Sequence, residues 1–298
     1  MNLTDLILQA VINGIMIGGF YAVMMLGFSV IWGVMGVINL AHGEFLMVGA
    51  YLTWVLNKQY EIDPFLAVLV VLPAMFLLGY LFQWVLINRI IERPMLIALL
   101  VTYGLGVAMA SIVKLIYKAD PRVTDTALTG FWALSAGVGI PVTKFYILLA
   151  ALLMMAGLYA FLQYTRFGKS IRAAAQNKEA ARMVGIEIGR VYAFTFAICI
   201  ALTGAAGALI SPTTSIYPFM GAPLTLKAFA ITAMSGLGNI PGALLGGIVL
   251  GLVEQLIATL VPGVGTNLGI TSSFILLVVV LVTRPQGLFG GLKPAGEH

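Results

Sequence analysis

The sequence predicts an all-α polytopic membrane protein with eight or nine transmembrane helices, two broken segments and a short helix in a cytoplasmic loop. Three observations carry this. Of 298 residues, 61% are apolar and only 9% charged, where a soluble domain carries about a quarter charged residues. Apolar runs recur at the length a spanning helix needs, about 20 residues. The 34 glycines exceed what soluble helices tolerate, but membrane helices use glycine to pack closely. A soluble fold of this size could not hide that much apolar surface, because burial saturates near about three quarters of the unfolded area. Soluble enzyme, nucleic-acid binder and disordered chain are therefore excluded. The net charge of +5 reads as basic cytoplasmic loops. The expected organisation is one transmembrane domain, residues 1–298.

The elements follow in chain order. Residues 6–31 form the first span. Asp5 precedes it and no Lys or Arg does, so no cleavable signal is expected. Residues 32–56 are apolar but interrupted by Gly33, Gly36, Asn39, His42, Gly43, Glu44 and Gly49. Spans are then expected at 64–87, 95–116, 145–164 and 190–210. Residues 217–242 repeat the interrupted pattern with Pro218, Gly221, Pro223, Lys227, Gly236, Gly238, Asn239, Pro241 and Gly242, and 243–260 and 266–283 close the series. The lone Cys199 allows no disulfide within the chain.

Orientation follows from basic residues. Loop 166–190 holds Arg166, Lys169, Arg172, Lys178, Arg182 and Arg190 against Glu179 and Glu187, which places it in the cytoplasm. Arg284 and Lys293 put the C-terminus inside with it, and the N-terminus falls outside if residues 6–56 cross twice.

That loop reads RFGKSIRAAAQNKEAARMVGIEIGR. Ser170 is a candidate N-cap, residues 171–184 are rich in good helix formers, and Gly185 is placed to end the helix. The expectation is one helix of about four turns. Ala173, Ala174, Ala180 and Ala181 would let a partner's backbone approach, and its basic residues would pair with acids on a soluble subunit. The alternative is a helix lying on anionic lipid. Gly168-Lys169-Ser170 mimics the end of a phosphate-binding loop, but position 163 is Gln and not the required Gly, so no ATP site is expected in this chain.

The two interruptions resemble each other. Each sets an Asn among glycines, at Gly36–Gly43 and at Gly236–Gly242. Paired breaks of this kind point to a transport pathway, because unpaired backbone cannot face lipid. Asn39, His42, Gly43, Glu44, Gly238, Asn239 and Glu254 are the pathway candidates. The alternative for both Asn residues is helix capping. His42 and Glu44 could instead sit at the cytoplasmic end of the break, as interfacial groups. Lys227 could snorkel to the outer surface. Glu254 is expected to face the bundle. An enzyme reading has little to use: His42 and His298 are the only histidines, no metal site is expected, and a Ser235–His42 protease pair lacks the leading Gly expected of its motif.

Glu179, Ala180, Ala181 and Gly185 resemble the EAA…G loop of ABC-importer permeases, without the downstream Leu-Pro of the longer form, since Thr195 stands there. GVMGVINLAHGEFLMVGAY (33–51), TRFGKSIRAAAQNKEAARMVGI (165–186) and SGLGNIPGALLGGIVLG (235–251) look like branched-chain amino-acid ABC permeases of the LivH type. The resemblance implies an inner-membrane permease subunit of a bacterium. It implies partners: a second, related permease (or a second copy), two ATP-binding subunits that hold ATP and Mg, and a periplasmic substrate-binding protein. It assigns Arg172, Glu179, Ala180, Ala181, Arg182 and Gly185 to coupling with the ATP-binding subunit. No catalytic residue and no cofactor in this chain are expected. The rival is a self-contained secondary transporter or channel, which needs no such loop.

Overall fold

In a computed structural model the described residues are 2–135, 137–236, 239–261 and 265–283. They form α1 (Leu3–Met35), α2 (His42–Tyr60), α3 (Pro64–Phe82) with a π-helical turn at Gln83–Ile87 and a last turn α4 (Asn88–Ile90), and α5 (Met95–Tyr117). An antiparallel hairpin, β1 (Phe131–Ser135) and β2 (Val138–Pro141), precedes α6 (Val142–Tyr164). Then come α7 (Arg166–Gln176), α8 (Lys178–Met183), α9 (Ile188–Ile210), α10 (Gly221–Ser235), α11 (Ile240–Leu260) and α12 (Gly265–Thr283). Six helices among the described residues are long and apolar enough to cross a membrane: α1, Pro64–Ile90, α5, α6, α9 and α11.

The core sits around α1. From Gly18 to Ile31 every residue of α1 is buried, because a helix apolar on all sides is stable only where neighbours surround it. Its closest partner is α11. A Cβ on Gly251 would lie 2.8 Å from the Gly18 nitrogen, and one on Gly18 would lie 2.6 Å from Ile248 Cα, so side chains are excluded where the two backbones touch. Helices α3, α5 and α6 present large apolar side chains outward, among them Leu69, Leu77, Leu100, Leu115 and Leu153, as lipid-facing helices do. The hairpin lies at one end of the bundle, where sequence patterning gave no strand. Nearby, Arg122 pairs backbone to backbone with Ile216 and sets its guanidinium 4.1 Å from the Trp54 ring.

The basic loop differs from its expectation. It is two helices and not one of four turns. Thr165, rather than Ser170, caps α7 by accepting from the Gly168 N–H at 2.9 Å. Ser170 lies inside α7 with its hydroxyl donating to the Arg166 carbonyl. Asn177 ends α7 and caps α8, its side-chain oxygen accepting from the Ala180 N–H at 2.9 Å. An Asn competes with the helical backbone for hydrogen bonds, and that splits the run. Gly185 adopts φ +83°, the left-handed region where glycine carries no Cβ penalty.

Candidate functional site

Both breaks are built from capped helix ends. Gly36 closes α1 at φ +66° with its N–H on the Trp32 carbonyl. Across the gap, Asn39 Oδ1 accepts from the Ala41 N–H at 3.1 Å and Thr102 Oγ1 of α5 accepts from the Leu40 N–H at 3.1 Å. In the second break, Gly236 closes α10 and Asn239 Oδ1 accepts from the Gly242 N–H at 3.0 Å, with Pro241 in the first turn of α11. Asn39 serves the break's own backbone and Asn239 caps a helix, the local roles weighed from the sequence. Gly238 lies outside the described residues.

The first break turns back into the bundle. His42, the first residue of α2, places Nε2 2.7 Å from the Met24 carbonyl of α1 and 3.4 Å from Thr203 Oγ1 of α9. Phe28 meets its ring edge-on at 5.4 Å. Helix α1 runs on from Met24 to Met35, about 16 Å further at about 1.5 Å per residue. His42 and Glu44 are thus deep in the bundle, 0% and 6% exposed. The interfacial placement weighed for them fails because Gly36–Ala41 doubles back along α1 and does not end at the surface.

Helix α10 begins at the same depth. The Gly43 N–H donates to Thr225 Oγ1 at 2.8 Å, and Gly43 lies against the Gly221 carbonyl. Neither glycine leaves room for a Cβ, so two helix N-termini touch inside the bundle. The Glu44 carboxyl lies between Gly221 and Gly106, the midpoint of α5.

Lys227 is the second correction. It does not snorkel outward but is 7% exposed. Its Nζ lies 2.9 Å from both Glu254 carboxylate oxygens and 2.8 Å from Tyr21 Oη, and Tyr21 donates to Glu254 Oε2 at 2.8 Å. This network joins α1, α10 and α11. Glu254 faces the bundle as expected, and its partners are now identified. Ser235 donates to the Ile231 carbonyl and toward Met25 Sδ, so it and His42 bond elsewhere and form no protease-like pair.

At the basic end, a cavity of about 520 Å³ is bounded by both breaks and by α7. Gly33–Gly36 and Trp32 line it from the first break, Asn239–Pro241 from the second, and Arg172, Gln176 and Lys178 from the loop. Ile171 and Ala174 of α7 and Ala181 of α8 are buried. Ala181 and Ala174 therefore face their own bundle and not an incoming backbone, which corrects the expectation for them. Arg172, Glu179, Arg182 and Gly185 are exposed, and Ala180 is half-buried. Met183 and Val184, 82% and 76% exposed, complete an outer face; from sequence they count only as two of the few bulky apolar residues of the loop. Their apolar character next to charges was the available signal. Glu92, before α5, holds Lys178 at 3.2 Å and Arg182 at 3.6 Å. The Lys178 hydrogen bond, then the charges of Lys178 and Arg182, hold its carboxyl below the usual carboxylate range.

Residues 10–283 match the family model described as branched-chain amino acid transport system / permease component. The chain is 30% identical over 95% of each chain to the high-affinity branched-chain amino acid transport system permease protein LivH of Escherichia coli. It is 30% identical, again over 95% of each chain, to BraD of Pseudomonas aeruginosa, whose name describes the same system. It is 26% identical to a probable LivH of Methanocaldococcus jannaschii over 97% of this chain and 94% of the relative. No solved structure matches the chain.

Proposed function

Because the chain belongs to the family of branched-chain amino acid transport permease components, we propose that it is the transmembrane subunit of an ABC importer. The cargo is a branched-chain or other hydrophobic amino acid, or a related small polar solute. The observation that supports this best is the cavity at the basic end, where both helix breaks and the loop helix α7 meet. A path must be lined by backbone that lipid does not touch, and a device that drives it must reach that path. Here one helix does both.

In this reading two ATP-binding subunits, which hold the ATP and Mg, grip the outer face at Glu179, Ala180, Arg182, Met183, Val184 and Gly185. Arg172 borders the cavity and Ala181 anchors α8 from within. Movement of α7, through its buried Ile171 and Ala174, is carried into α1 and α9, which α7 packs against. The site then opens alternately to a periplasmic binding protein and to the cytoplasm, in company with a second permease. Asn39, His42, Gly43, Glu44 and Asn239 lie along that route, with Gly238 assigned from sequence, while Glu254 acts through Lys227. The chain sits in a bacterial inner membrane with its C-terminus in the cytoplasm and its N-terminus outside. It carries no catalytic group or cofactor of its own.

The test is co-purification with a cognate ATP-binding subunit, followed by reconstitution and amino-acid uptake. Glu179→Arg and Gly185→Trp are expected to abolish co-purification while the variants remain folded. Uptake by the purified chain alone, without ATP, would make it a secondary transporter or channel and overturn the proposal.

A further inference from the structure

The two buried acids inside the bundle are treated very differently. Glu254 is fully engaged by Lys227 and Tyr21. Glu44 is 6% exposed, its Oε2 has no hydrogen-bond partner, and it takes part in no ion pair among the described residues. A carboxylate oxygen with neither a hydrogen-bond nor an ion partner at membrane depth is costly, so such a group is kept for what it binds.

The surroundings make room for its head. A Cβ on Gly221 would lie 2.8 Å from Glu44 Cδ, and a Cβ on Gly106 would lie 3.4 Å from Cδ and 3.5 Å from Oε2. The carboxyl thus occupies space left by two absent side chains. The N-termini of α2 and α10 meet beside it, and each carries about half a positive charge. Together they offset one carboxylate. The site is near neutral overall, with a localised negative oxygen and a diffuse positive rim. That pattern suits a net-neutral zwitterion: an ammonium finds the oxygen, and the fixed dipoles tolerate the accompanying carboxylate. Among the described residues no further His, Cys, Asp or Glu joins it to hold a metal ion. The wall able to part is α5, which joins the bundle along one stripe of Ala98, Thr102, Gly106, Met109, Ala110 and Val113.

We propose that Glu44 is the group that receives the ammonium of an amino-acid substrate halfway through the membrane. This rests on the permease reading above. The experiment uses the complex of permeases and ATP-binding subunits without binding protein, and three probes: L-leucine, isoamylamine (no carboxylate) and isocaproate (no ammonium). Leucine and isoamylamine are expected to raise the unfolding temperature, and isocaproate to leave it unchanged. Glu44→Gln should still co-purify, lose both shifts, and lower ATP-driven leucine uptake by about ten- to a hundredfold, the worth of a hydrogen bond to a charge. Gly106→Ala, which adds only an ordinary contact to the carboxyl, should weaken leucine binding without preventing assembly. It carries the test if Glu44→Gln fails to assemble. Undiminished binding and uptake in the assembled variant, or isocaproate acting as strongly as isoamylamine, overturns the ammonium site. ATP-independent uptake by the wild type overturns the permease reading instead.

Discussion

Breaking the Tyr21–Lys227–Glu254 network is the most demanding test of the packing argument. The pair is 7% and 9% exposed, with Nζ 2.9 Å from both carboxylate oxygens. Glu254→Leu strands the Lys227 charge, and Lys227→Met strands the Glu254 charge. Removing one partner of a buried pair costs about 3–5 kcal/mol, whereas replacing both with apolar groups is often neutral or stabilising. Tyr21→Phe removes two hydrogen bonds to charged groups, one donated to Glu254 and one accepted from Lys227, each worth about 1.5–3 kcal/mol. At about 2–4 °C per kcal/mol for a chain of this size, each charge-stranding variant should lower the unfolding temperature by roughly 6–20 °C. Lys227→Met/Glu254→Leu should recover most of that loss. Cys199, the chain's single cysteine and 1% exposed, supplies the readout: a thiol-reactive fluorogenic dye lights up when the detergent-purified protein unfolds. If the double variant were as unstable as the worse single variant, the charges would be neither stranded nor paired as described.

Other outcomes follow from the same geometry. Gly251→Ala, whose Cβ would press on Gly18, should cost about 1–3 kcal/mol by overpacking. Gly36→Ala meets nothing within 4 Å and should cost only the left-handed penalty, about 1–2 kcal/mol; thermal unfolding reads both, and an unchanged Gly251→Ala would refute the close packing of α1 on α11. Glu92 links α8 to the segment before α5, and its native carboxyl titrates below its unfolded value. That link is therefore intact above the unfolded carboxylate range and is lost as pH falls through the depressed native value. Spin-label distances across the link should widen in acid and be insensitive to pH in Glu92→Gln.

The spans were legible because about 20 consecutive apolar residues leave the chain few alternatives. The breaks were legible from glycine and asparagine, and the end of the loop from Gly185. What escaped was anything set by distant residues. Lys227 meets Tyr21 across 206 positions and Tyr21 meets Glu254 across 233, so no local pattern marks their pairing. The depth of His42 and Glu44 escaped because composition says that a helix breaks there, and not whether the chain then leaves or doubles back. Asn177 hid inside an alanine-rich run whose summed propensity favours one helix. The outward or inward facing of Ala181 depended on where that helix broke.

The short helix α10 also constrains how the protein is made. Its 15 residues fall below the about 20 a segment needs to span alone. Lys227 leaves the ribosome 27 residues before Glu254, so the lysine reaches the bilayer while its counter-charge is still inside the ribosome. Segment α10 must therefore wait at the insertion machinery until α11 arrives, and the two enter as one hairpin. Chains truncated between residues 236 and 253 should leave a cysteine placed in α10 open to aqueous reagents, and chains extended past residue 260 should close it.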